Sequence, residues 1–308
     1  MNTDAGSFEP AYMKMEREGR LAEVETELWD ILNNCRLCPR GCGVNRIKGE
    51  TGVCSSTAQL RLASYGPHFG EERPLVGSGG SGTLFFSNCN LLCCFCQNWE
   101  INHRGDGNSE THERLADMML ALQRRGCHNI NLVTPTHVVP HIIKALRLAT
   151  SRGLRLPLVY NSGGYDSLEV VKKLDGIVDI YLPDFKFQNR EAAAKYMSGA
   201  MDYPEVAAAA IKEMHRQVGE LMVDSRGIAQ RGLMVRHLVM PGNLAGTDVF
   251  AKWVADELTP TTYVNLMAQY RPEHKAFDFP EISRRITDQE WALARRWARE
   301  AGLVNFNF

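Results

Sequence analysis

The amino-acid sequence predicts an α/β fold: a partial, open (β/α)6 barrel behind a helical, cysteine-rich N-terminal extension. Three observations carry that expectation. Six short apolar runs alternate with segments of helical periodicity between Thr83 and Met267. The runs are continuously apolar rather than alternating, as expected of parallel strands covered on both faces. Six units are fewer than the eight of a closed barrel, so the barrel is read as open, with a doubly wound sheet as the alternative. In either architecture the chemistry belongs at the C-terminal ends of the strands.

Near the N-terminus, Leu21, Val24, Leu28 and Ile31 recur at helical spacing, so residues 12–33 read as one amphipathic helix leading into a first cysteine block. After Leu60, "LRLASYGPHFGEERPLVGSGGSG" is glycine-rich and reads as a loop, which sets an extension of residues 1–74 before a core of residues 75–308. "TLFFS" (83–87) is the first strand candidate. Leu115, Met118, Met119 and Leu122 then mark a helix that stops at Gly126. "NINLV" (129–133) is followed by a helix carrying Ile142, Ala145, Leu146 and Ala149. "LPLVY" (156–160), "IVDIYL" (177–182), "LMVRHLVM" (233–240) and "TYVNLM" (262–267) complete the strand set. Residues 188–231 are longer than a simple crossover, and we expect them to shape the substrate entrance. The last helix opens with Thr287 and Glu290 at capping-box spacing.

Composition excludes several classes. A chain of 308 residues with 44% apolar content and a net charge of −1 describes a globular protein with scattered basic residues, which gives no sign of a nucleic-acid partner. No run approaches the ~20 apolar residues of a membrane span, and the N-terminus has no apolar signal core, so a cytoplasmic, membrane-free protein is expected.

The nine cysteines fall mainly in two blocks, which suits metal binding better than a disulfide framework. The first holds Cys35, Cys38, Cys42 and Cys54. Four soft ligands in a glycine-punctuated segment make a closed site for zinc or an auxiliary iron–sulfur cluster, and zinc is favoured because a short knuckle needs only tetrahedral geometry. The second block, "CNLLCCFC", places Cys89, Cys93 and Cys96 at C-x3-C-x2-C on the loop leaving the first strand. Three thiolates hold three irons of a [4Fe–4S] cluster and leave the fourth open to a ligand, a catalytic rather than structural arrangement. Cys94 reads as a packed bystander and Cys127 as core. A zinc knuckle that recruits Cys94 is the competing reading.

This motif resembles that of the radical S-adenosylmethionine (SAM) enzymes. The wider run from "CRLCPRGCGVNR" through "YNSGGYDS", "DIYLPDFKF" and "RHLVMPGNLAGT" is similar to the uncharacterised homologues of pyruvate formate-lyase activating enzyme. The resemblance implies a radical SAM barrel, a [4Fe–4S] cluster, SAM as cofactor and an oxidoreductase. In such enzymes one electron from the cluster cleaves SAM to a 5′-deoxyadenosyl radical that abstracts hydrogen. It places Phe95 beside the adenine, Asn161 and Ser162 near SAM, Asp184 and Lys186 toward the SAM carboxylate or a substrate carbonyl, and Arg236 near the ribose or carboxylate. A flavodoxin- or ferredoxin-type electron donor and a protein substrate, such as a glycyl radical enzyme, are the implied partners, with a peptide or small molecule as the alternative substrate. One departure stands out: activating enzymes carry Gly-Gly-Glu-Pro after the second strand, whereas this chain reads "VTPTH", with Thr134, Thr136 and His137 in that place. From a different class, a non-catalytic metal-binding or electron-carrying protein is the rival reading.

Overall fold

A computed structural model describes residues 8–307. Its centre is a run of six parallel strands that pair in chain order: β2 (Ser81–Phe86), β4 (Ile130–Val133), β5 (Leu158–Asn161), β6 (Ile180–Tyr181), β8 (Ala229–Leu238) and β9 (Tyr263–Met267). These are the six strands read from the sequence, shifted by a few residues. Because the order never reverses, the sheet winds in one direction, as in a barrel, and the doubly wound alternative is excluded.

Short edge strands extend the sheet. On one side β1 (Arg61–His68) lies antiparallel to β2 and pairs in turn with β3 (Asn108–Ser109); on the other β10 (Phe306–Asn307) adds in parallel to β9, while β7 (Met222–Val223) folds back on β8. Helices α5 (His112–Arg124), α6 (Val139–Ser151), α7 (Leu168–Lys173), α8 (Arg190–Tyr196), α9 (Tyr203–Val218), α10 (Thr247–Glu257) and α11 (Asp288–Glu300) follow the strands. The short helix α4 (Trp99–Asn102) closes the second cysteine loop. The capping box of α11 forms as expected: Glu290 N donates to Thr287 Oγ1, and Thr287 N to the Glu290 carboxylate.

Two expectations at the N-terminal end are corrected. The expected helix over 12–33 is broken at Gly19, whose φ of 76° ends one helix and starts the next, giving α1 (Ala11–Arg17) and α2 (Arg20–Asp30). The expected loop over 61–82 is not a connector. It contains β1 and then α3 (Arg73–Val76), a single turn inserted into the hollow of the curved sheet. Leu75 is fully buried there in a small cluster of its own with Val159, Ile180, Leu182, Met234 and Tyr263. Asn129 Nδ2 donates to Leu75 O at 2.9 Å and pins the turn to the base of β4. The segment thus plugs one end of the sheet and leaves the other, at the strand C-termini, for ligands.

The N-terminal helices dock on the outer layer. Ala11 N donates to Asp179 Oδ1 (2.8 Å), and Leu158 N donates to Asp179 Oδ2 (2.9 Å), so one buried carboxylate ties α1 to the start of β5. Burial pushes this carboxyl up from 3.8 to about 7 against those two donors. Asp179→Ala leaves the buried Leu158 N–H and the part-buried Ala11 N–H without acceptors and is expected to cost about 2–3 kcal/mol. A carboxyl whose folded value is raised stabilises the fold when protonated and loses that contribution as pH rises from about 4 to about 7. The gap between wild type and variant is therefore widest near the acid end, which urea melts across this range measure. Among the described residues no helix is long and apolar enough to cross a membrane.

Candidate active site

The loop after β2 turns sharply, with Asn88 (φ 74°) and Leu92 (φ 50°) in the left-handed region. The turn presents Cys89, Cys93 and Cys96 to one cavity of about 260 Å3 at the C-terminal ends of the parallel strands. Leu91 N donates to Cys89 Sγ (3.4 Å) and Asn102 Nδ2, from α4, donates to Cys96 Sγ (3.2 Å). His103 Nε2 donates to Cys93 O (3.1 Å), which fixes the middle of the loop. Burial pushes all three thiols up, Cys89 to about 11. A bound cation would offset that and hold them as thiolates. Cys94 does not line the cavity, and its backbone N–H donates to Tyr196 O (2.9 Å).

Phe95, Thr134, Asn161, Ser162, Asp184, Lys186 and Arg236 line this same cavity. Phe95 is held edge-on by Phe187 and Tyr270, with ring centroids 5.9 and 6.1 Å away. Thr134 follows β4 with φ 59°, an uncommon conformation for a β-branched residue, and its N–H donates to Asn161 O (2.9 Å). Asp184 sits between two cations: Lys186 Nζ at 2.6 Å and Arg236 Nε at 2.9 Å. Burial pushes the Asp184 carboxyl up, but Arg236 and Lys186 outweigh it and hold the group below the usual range. Arg236 also donates to Asn161 Oδ1.

Four details refine the sequence reading. Ser162 lines the cavity, but its hydroxyl donates to Asp166 Oδ2 (2.6 Å). Thr136 makes the matching bond to Asp166 Oδ1 (2.7 Å), so it braces the β5 turn instead of replacing the missing acid. His137 points away from this cavity and donates to Ser87 O (2.7 Å) from beneath the loop. Glu71, which the sequence reading passed over, reaches Arg236 at 3.4 Å from the plug segment; its only sequence signal was an acidic pair inside a glycine-rich stretch.

The cavity combines three thiols on one tight loop, no fourth cysteine, an aromatic wall and opposed charges. Three such thiols could hold three irons of a four-iron cluster, and the polar groups suit a zwitterionic ligand beside it. The sequence profile described as the radical SAM superfamily matches residues 83–223, which span the loop, β2 to β6 and the following helices. An uncharacterised protein of Methanocaldococcus jannaschii is 33% identical over 287 residues, covering 89% of this chain and 77% of that protein. The chain belongs to the radical SAM superfamily. Among solved structures, a radical SAM methyltransferase from Sphaerobacter thermophilus is similar in fold, with a TM-score of 0.51 at 15% identity. That alignment covers 73% of this chain and 65% of the methyltransferase chain. Methylornithine synthase aligns with a TM-score of 0.44 at 14% identity, over 71% of this chain and 67% of that one.

Proposed function

We propose that this protein reductively cleaves SAM and directs the resulting radical at a carbon–hydrogen bond of a protein or peptide substrate. The observation that carries the reading is the cysteine loop: three thiols face the ligand cavity, and Cys94, the one extra thiol in the block, is turned away. When bound, the cluster supplies the electron and an open iron for SAM, and SAM supplies the 5′-deoxyadenosyl group. The protein's part is to bind, orient and exclude water. Cys89, Cys93 and Cys96 hold the metal. Lys186 and Arg236, balanced by Asp184, present cationic hydrogen-bond donors suited to the SAM carboxylate. The Thr134 hydroxyl and carbonyl would serve the amino group in place of the acid that the resemblance to activating enzymes implies. Phe95, backed by Phe187 and Tyr270, walls the adenine side.

The cavity supports a macromolecular substrate. At about 260 Å3 it is a shallow site just below the usual size of ligand pockets, open to solvent at its rim. A substrate then reaches the radical from the open rim, as an extended backbone segment does. Activation of a glycyl radical enzyme is the form of this reading that the resemblance to activating enzymes favours, with a flavodoxin- or ferredoxin-type protein as reductant. A metal at the N-terminal cysteines belongs to the same reading. The test is isotope transfer: reduced, reconstituted protein is incubated with SAM and a candidate partner deuterated at glycine. Deuterium in 5′-deoxyadenosine is the expected result. Cleavage without any deuterium transfer, together with transfer from a labelled small molecule, sinks the protein-substrate reading.

A further inference from the structure

The N-terminal cysteine block leans against the back of the loop that carries Cys89, Cys93 and Cys96. Cys35, Cys38, Cys42 and Cys54 line one small cavity, and bonds from Cys35 N to Val44 O (2.9 Å) and from Gly43 N to Cys35 O (3.0 Å) wind the chain around it. Between Cys38 and Gly41 lies a tight turn, closed by Gly41 N to Cys38 O (3.1 Å), with Gly41 at φ 51°. Arg40 reaches out from this turn. Its guanidinium makes four hydrogen bonds, all to backbone carbonyls: Nε to Asn90 O (2.9 Å), Nη2 to Met197 O (3.0 Å) and Leu91 O (3.5 Å), and Nη1 to Ser198 O (2.8 Å). Its Cζ stands 5.3 Å from the centre of the Tyr165 ring.

The carbonyls of Asn90 and Leu91 belong to the stretch between the first two cluster cysteines. In a trans peptide the C=O and N–H point in opposite directions. With Asn90 O turned outward to Arg40, the N–H of the same peptide faces inward, and Leu91 N donates to Cys89 Sγ (3.4 Å). The next peptide repeats the arrangement: Leu91 O faces Arg40, and the Leu92 N–H bonds to the same sulfur. Leu92 itself has φ 50°, which a leucine disfavours, so the loop keeps this shape only where its surroundings fix it.

We propose that Arg40 is a positioning residue for the cluster: by holding the Asn90 and Leu91 carbonyls outward it aims two peptide N–H groups at the Cys89 sulfur, and so raises the reduction potential of the centre bound there. Hydrogen bonds to ligand sulfurs are among the factors that set cluster potentials. A peptide N–H stabilises negative charge on the thiolate, and the reduced cluster carries one electron more than the oxidised one, so these bonds favour reduction. The guanidinium does this by shape as well as charge. Carbonyls on two chain segments need the divergent N–H groups of a planar fork, whereas a lysine ammonium carries its donors on a single atom. The Asn90 side chain adds a second tie between the blocks, bonding to the Cys38 sulfur and donating to Tyr165 O (2.7 Å). The N-terminal cysteine block is thereby a working part of the active site. The inference rests on a cluster at Cys89, Cys93 and Cys96 and is independent of the substrate.

A redox titration followed by electron paramagnetic resonance, on the anaerobically reconstituted full-length protein without SAM, tests it in two variants. Arg40→Lys keeps the charge and loses the fork, and Arg40→Gln loses both. Each is expected to shift the reduction equilibrium of the cluster about tenfold toward the oxidised form, which is about 59 mV more negative for a one-electron couple. The potential is read on the loaded fraction, so lower iron uptake does not obscure it. If Arg40→Gln does not fold, Arg40→Lys decides. A potential for Arg40→Lys equal to or above that of wild type overturns the proposal, because a shift in Arg40→Gln alone assigns the effect to charge. Wild-type protein that binds no cluster overturns the assignment of the three cysteines, and this inference with it.

Discussion

Asp184→Ala is expected to destabilise the protein by about 3 kcal/mol, among the largest effects of any single change outside the core. The residue is largely buried between Lys186 and Arg236 at the cavity wall, with 13% of its side chain exposed, so both ion pairs are mostly shielded from solvent. Removing the shared carboxylate leaves two cations facing each other, with Glu72 and, at 3.4 Å, Glu71 remaining to compensate Arg236. Breaking a buried pair by deleting one partner costs more than the pair contributes, because an uncompensated charge stays behind. Urea unfolding of the metal-free protein measures the effect without interference from cluster loss. Asp184→Asn keeps the volume and the acceptor and removes the charge. A destabilisation close to that of Asp184→Ala assigns the cost to electrostatics, and a near-neutral Asp184→Asn contradicts this account.

Leu75→Ala is expected to cost about 2–5 kcal/mol and also to weaken SAM cleavage. Leu75 fills the hollow between β5, β6, β8 and β9, and its removal leaves a cavity that a single helical turn closes poorly. The same segment carries Glu71 beneath Arg236, and Glu72, which accepts from Asn265 Nδ2 at 2.8 Å. A loosened plug therefore reaches the floor of the ligand cavity as well as the core. Leu168→Ala, at a half-exposed position on α7, is the control and is expected to stay within about 0.5 kcal/mol of wild type. Equal losses at both positions would deny the plug its role.

The six parallel strands and the cysteine loop were legible because their signals are local. Apolar runs such as "NINLV" and "IVDIYL" mark strands from their own residues, and C-x3-C-x2-C declares its chemistry by spacing. The charged residues Asp184, Lys186 and Arg236 were placed through resemblance, and they do meet at one cavity. What stayed hidden depends on partners distant in sequence. β1 reads as a loop because Gly66 and Pro67 interrupt it, and it is a strand only through its pairing with β2. The turn at Leu75 has no periodicity of its own, and its burial comes from residues up to nearly 190 positions away. The Thr136 hydroxyl and the His137 ring, both in the "VTPTH" stretch, diverge to Asp166 and Ser87, a difference that side-chain direction decides and sequence order does not.

The most direct test of the central claim is formation of 5′-deoxyadenosine by the anaerobically reconstituted, dithionite-reduced protein supplied with SAM, measured beside the Cys93→Ala variant. The loop geometry predicts product that accumulates with wild type and falls to background with the variant. Background product from wild-type protein with its full iron content, or equal product from the variant, would contradict it.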